Sequence, residues 1–155
     1  MDDKFMSEAI RLSEEKMMAG HGGPFGAVIV QDGKIIAQGY NQVTSTNDPT
    51  AHAEIVAIRQ ACEKLQNFRL DNCKIYASCE PCPMCLAAIY WAGIKTVYYA
   101  ATREDAARIG FADDHIYQEF AKPMEERQMT MIPLNRQQAL PVMATWQQME
   151  EKITY

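Results

Sequence analysis

One histidine, one glutamate and two cysteines have the types and spacing to hold a metal ion and move a proton beside it. They lie in His52-Ala53-Glu54 and in Pro81-Cys82-Pro83-Met84-Cys85. A catalytic zinc takes three protein ligands and leaves a fourth position for water. His52 and the two thiolates supply three, which predicts one Zn2+ per chain. On the first turn of a helix, positions i and i+3 project from one side, so Cys82 and Cys85 can share an ion. Both motifs fall at expected helix N-termini, where free N–H groups and the macrodipole favour thiolates and any developing anion. Glu54 stands two residues beyond His52, on a different side of the turn. That suits a carboxylate acting on water near the metal, taking its proton and returning it to a leaving group.

Each part also has a plainer reading. A single histidine on an apolar helix is more often packed or solvated than ligating. A lone C-x-x-C divides among metal site, redox pair and burial, and Glu54 alone would be a solvated carboxylate. Cys79 adds a further option, because Cys79-x-x-Cys82-x-x-Cys85 opens like a ferredoxin iron–sulfur run. That run continues with cysteine and then proline, where this chain has Ile89 and Tyr90. Cys79 therefore reads as a buried thiol at a strand end, and Cys62 and Cys73 as core and strand residues. Five cysteines, an odd number in a chain with no export signal, do not suggest a disulfide framework. The combination is the specific signal: H-x-E followed about thirty residues later by P-C-x-x-C is the signature of the zinc nucleobase deaminases.

These side chains need a frame, and the pattern supplies one. Phe5, Met6, Ala9, Ile10, Leu12, Ser13 and Met17, with Glu14, Glu15 and Lys16 between them, predict an amphipathic helix over about 3–19, ended by Gly20. Two apolar runs, 25–30 and 34–40, joined by Asp32-Gly33, predict a hairpin. A loop over 41–47 leads to Asp48-Pro49-Thr50, where Asp48 or Thr50 can cap a helix over 51–64. Strand 73–79, a helix over about 82–92 opened by Pro81, and strand 94–100 form a βαβ unit with parallel strands. Further on, Thr102 with Asp105 caps a short helix ending at Gly110. Residues 113–122 read as helix, 128–134 as extended, and 141–152 as helix. The sum is a three-layer α/β/α domain spanning 1–155, on a mixed sheet of about five strands.

Composition narrows the partners. With 155 residues, 48% hydrophobic and 23% charged, the chain suits one soluble domain with a sizeable core. No apolar stretch approaches the ~20 residues of a membrane span, and the charged N-terminus lacks an apolar signal core; a cytoplasmic protein with no membrane partner is expected. The net charge of −5, with Lys and Arg scattered, disfavours a nucleic-acid backbone as partner.

The motifs and their order resemble the cytidine deaminase superfamily, which implies its α/β/α fold. Within it, the chain is most similar to the small bacterial guanine deaminases, over nearly its full length. The resemblance rests on 22–30, 47–54 and 78–85, then on Gly110-Phe111, Asp113, Ile116-Tyr117, Lys122-Pro123, 125–127 and Tyr155. It implies hydrolysis of guanine at C2, yielding xanthine and ammonia. It further implies that Asn41 and Asp113 hydrogen-bond the purine, Phe25 packs on its ring and Tyr155 closes over the site. Plainer roles stay open: Asn41 can shape a turn, Asp113 can cap a helix, Phe25 can be core and Tyr155 a frayed terminus. Homodimers are implied too, with 135–155 crossing between subunits. The nearest rival is a tRNA adenosine deaminase with the same motifs. More distant rivals are a non-catalytic zinc or iron–sulfur protein and a Cys82–Cys85 redox enzyme.

Overall fold

Ala27-Val28-Ile29-Val30 has no polar side to turn toward water, so a strand built from it must be covered on both faces. In the computed structural model, which describes residues 3–155, this segment is the inner strand β1 (Gly26–Gln31) of a four-stranded sheet. The sheet order is β2-β1-β3-β4, with β2 Lys34–Tyr40, β3 Cys73–Cys79 and β4 Thr96–Ala101. β1 is antiparallel to both β2 and β3, and β3 is parallel to β4, as the βαβ reading requires. Asp32 (φ 50°) and Gly33 (φ 72°) turn the β1–β2 hairpin with the two positive dihedrals of a type I′ turn.

Strand alternation sends Ala27 and Ile29 to one face and Val28 and Val30 to the other. Against the first face pack α3 (Ala53–Leu65), through Ala53, Ala57 and Ala61, and α4 (Pro83–Trp91), through Ile89. Against the second packs α1 (Asp3–Met18), through Phe5 and Leu12, with Tyr76 stacked on Tyr98 at 4.6 Å. The outcome is the expected α/β/α layering. α3 lies directly on β2 because Gly39 is bare: a Cβ there would overlap the Ala53 carbonyl and crowd the Ala57 amide.

Several local expectations give way. Four strands stand where about five were expected, because 128–134 is irregular. Its apolar alternation suits a strand, but a strand needs a hydrogen-bonding neighbour and Pro133 has no N–H to offer. Met129, Ile132 and Leu134 remain exposed. Asp48 does not cap α3. Its carboxylate instead accepts the Thr50 N–H (2.8 Å) and hydroxyl (2.7 Å), closing a turn ahead of the helix. The loop before it contains a single helical turn, α2 (Val43–Thr46). After β4 come α5 (Arg103–Arg108), α6 (Asp114–Ala121), a 3-10 turn (Met124–Glu126) and α7 (Arg136–Gln148). α7 begins five residues before Pro141, which lies inside the helix.

The chain divides into two compact units, the first ending at Asp114 and the second spanning His115–Tyr155. Within the second, Glu119 accepts from the Gln128 N–H (2.7 Å), and Arg127 donates to the Lys122 carbonyl (3.2 Å). α7 exposes Val142, Met143 and Trp146, and its C-cap Met149 is exposed too. Among the described residues, no helix is long and apolar enough to cross a membrane.

Gly39→Ala drives a methyl group into the first turn of α3. Overpacking of this kind costs about 1–3 kcal/mol, and chemical denaturation of the zinc-loaded protein should show that loss.

Candidate metal centre and substrate site

Two helices start at one place. His52 is the N-cap of α3 (φ −70°, ψ 156°) and Cys82 the N-cap of α4 (φ −66°, ψ 168°). Neither side chain makes the hydrogen bond that usually selects an N-cap residue. Pro83 follows as the first residue of α4, where its missing N–H costs nothing. The His52 and Cys82 side chains instead meet each other, with Cys85 from the same turn of α4. His52 Nδ1 lies 3.5 Å from Cys82 Sγ and 3.6 Å from Cys85 Sγ. The three ligand atoms all lie within 4.8 Å of one another. Zn–N bonds of about 2.0–2.1 Å and Zn–S bonds of about 2.3 Å at a tetrahedral angle put nitrogen and sulfur roughly 3.6 Å apart. The donor set fits zinc, with Nδ1 as the imidazole nitrogen on the metal side.

The charges suit the same reading. The Cys82 thiol is pulled down to about 4, by the hydrogen bond from Cys85 and by the His52 imidazole, against the effect of burial. That pairing and burial push Cys85 far above the ordinary thiol range. His52 is raised by its contact with Cys82. Glu54, in the first turn of α3, is only 8% exposed. Burial pushes its carboxyl above the usual range, while its own backbone N–H and the Cys85 thiol pull the other way.

The remaining sequence-predicted residues stand as follows. Asn41 is buried directly after β2. Its Oδ1 accepts the backbone N–H groups of Gly23 (3.3 Å) and Val43 (3.2 Å), so the turn-shaping role is real. A Cβ on Gly22 would overlap that same oxygen. Two N–H donors fix the amide's orientation and occupy its acceptor; Nδ2 donates no hydrogen bond to the described residues. Phe25 packs partly into the core, and its ring meets Phe111 edge-on at 4.9 Å and 89°. Asp113 immediately precedes α6. Burial raises its carboxyl, the Cys82 and Glu80 charges add to that and Arg103 opposes it, so Asp113 stands in the field of the metal cluster. Tyr155 belongs to the second unit and is 80% exposed.

Cys79 lies outside the triad. Its Sγ is 3.5 Å from the Thr102 carbonyl, and burial pushes the thiol up to about 11. Phe111 and Glu80 escaped the reading of the sequence as individual residues. Both stand inside the quoted motifs, where an aromatic after Gly110 and a carboxylate ahead of Pro81-Cys82 were the available signals.

A three-donor zinc cluster with a buried carboxylate beside it, on an α/β/α frame, defines the class as a zinc-dependent hydrolase. The chain belongs to the family described as the cytidine and deoxycytidylate deaminase zinc-binding region, whose model matches residues 1–101. It is 52% identical to the guanine deaminase of Bacillus subtilis, over 99% of this chain and 98% of that protein. The crystal structure of a Bacillus subtilis guanine deaminase superposes with a TM-score of 0.97 at 51% identity, covering 100% of this chain and 99% of the other. A guanine deaminase from Nitrosomonas europaea gives a TM-score of 0.67 at 30% identity, over 89% of this chain and 70% of that one. A tRNA-specific adenosine deaminase of Haemophilus influenzae is 40% identical over 74% of this chain and 68% of its own length.

Zinc ligands must be deprotonated, so metal uptake displaces the Cys85 proton. Calorimetry of zinc binding near pH 7, in buffers of differing ionisation enthalpy, should show at least one proton released per ion. Affinity should rise with pH. Cys79→Ala should still bind one zinc per chain by elemental analysis, because its sulfur is no ligand.

Proposed function

We propose that this chain hydrolyses guanine to xanthine and ammonia, with His52, Cys82 and Cys85 holding zinc and Glu54 carrying the protons. The observation that supports it most is the Glu54 carboxyl, buried against a three-ligand metal cluster. Zinc, when bound there, supplies a Lewis acid that brings the pKa of its water to about 7. Glu54 takes a proton from the water that attacks C2 of the base. It passes that proton to the ring nitrogen, then takes the proton of the new C2 hydroxyl and passes it to the amine, so that C2=O forms as the C2–N bond breaks and ammonia leaves. A raised carboxyl suits a group that must hold and release a proton within one turnover. Likeness to guanine deaminases over the whole chain supports guanine as the substrate.

The Asn41 amide nitrogen donates to an acceptor of the purine, the Asp113 carboxylate accepts from its ring N–H groups, and Phe25 packs on its face. Tyr155 closes the site. The chain acts as a single-domain enzyme in a homodimer, in which 135–155 crosses to the partner. The exposed apolar face of α7 supports this, since such a face needs covering. Five free thiols suit a reducing cytoplasm.

Ammonia release is to be measured from guanine, adenine, cytosine, cytidine and a tRNA anticodon stem, with and without a chelator. Guanine should turn over and the chelator should stop it. An idle guanine reaction beside an active RNA reaction would transfer the chain to the tRNA deaminases. Glu54→Gln should retain zinc and lose about 10²–10⁴ in kcat, the usual worth of a positioned acid–base.

A further inference from the structure

β3 ends at Cys79 and β4 at Ala101, side by side in the parallel ladder. From there the chain splits toward two parts of the site. One branch turns at once into the Cys82–Cys85 ligands. The other enters α5 and returns through Gly110 (φ 98°) to Phe111 and Asp113. α5 has no fully buried residue, and only Arg103 and Ala106 are half-buried. Its capping box, between Thr102 and Asp105, is internal to the helix and attaches it to nothing else.

Cys79 Sγ lies 3.5 Å from the carbonyl of the N-cap Thr102, and Glu80 supplies a charged attachment. Its backbone N–H donates to the Ala101 carbonyl at 2.8 Å, continuing the ladder by one bond. Its carboxylate Oε2 accepts the N–H of Arg103, the first residue of α5, at 3.0 Å. A hydrogen bond between a carboxylate and a helix-opening N–H is charge-assisted and directional. At the far end of the segment, the Phe111 N–H returns to the Ala106 carbonyl (3.0 Å) and the Phe111 ring meets Phe25. We infer that Glu80 is a positioning residue: by gripping the Arg103 N–H, it sets where Phe111 and Asp113 stand relative to the metal ligands. Glu80 thus joins the ligand loop and the 103–113 segment into one rigid piece, without touching the reaction itself.

The interaction can be removed from either side. Glu80→Ala deletes the acceptor, and Glu80→Gln keeps an acceptor oxygen while losing the charge. Arg103→Pro deletes the donor at the first helical position, where proline is otherwise well accommodated. Arg103→Ala keeps the N–H and loses only the side chain. Glu80→Ala and Arg103→Pro should each raise KM for guanine about tenfold, with kcat within about threefold and zinc retained. The double variant should be little worse than either alone. Glu80→Gln should stay within about threefold of the parent, and Arg103→Pro should exceed the KM of Arg103→Ala, which lacks the same side chain but keeps the N–H, by about tenfold.

Hydrogen exchange without substrate reads the same anchor independently. Amides of 103–113 should exchange faster in Glu80→Ala and Arg103→Pro, while those of β1 and β2 stay unchanged. The kinetic arm rests on the guanine reading. The exchange arm does not, so a wrong substrate and a wrong anchor give different results. Glu80→Gln failing as badly as Glu80→Ala would overturn the proposal, as would loss of zinc in Glu80→Ala or unchanged exchange over 103–113.

Discussion

The convergence of two helix N-termini governs this structure. α3 and α4 begin at one point, and each gives its N-cap side chain to a shared cluster instead of to its own first turn. Free N–H groups at both starts favour negative charge, which matches a Cys82 thiol held as thiolate at about 4. A substitution at either cap would therefore disturb metal affinity, local charge and helix start together.

The sheet sets that convergence. β3 delivers Cys79 and, three residues later, Cys82, while β2 delivers Asn41 and the loop leading to His52. Gly39 lets α3 press onto β2, so His52 and Glu54 gain their depth from a missing side chain one strand away. Glu54 is buried because α3 lies this close. Burial raises its carboxyl, which suits the proton transfer proposed for it. Packing and acid–base chemistry have one cause here.

The metal cluster was legible because the ligands lie in two short motifs, each confined to one helical turn, and local spacing alone shows that their donors can meet. The Asp32-Gly33 hairpin and the parallel βαβ unit were legible for similar reasons of short range. Elements that depend on distant neighbours were not. The run 128–134 has strand periodicity but no strand beside it. Pro141 looks like a helix opener and lies inside α7. Asp48 has the chemistry of a cap and spends it on Thr50 two residues away. For Asn41 the sequence leaves purine binding and turn shaping both open. That its oxygen is engaged depends on Gly23, eighteen positions back in the chain.

That engaged oxygen bears on the base-binding role proposed for Asn41. A free amide turns over to meet a donor or an acceptor as required; this one lost that choice when the loop closed on it. A ligand edge presenting an acceptor finds a partner already in place, with no rotor left to freeze. An edge presenting a donor finds only another donor. In the role proposed for Asn41, selectivity is decided during folding, by the two main-chain N–H groups that hold its oxygen, and the loop between β2 and α3 works as a template as well as a connection.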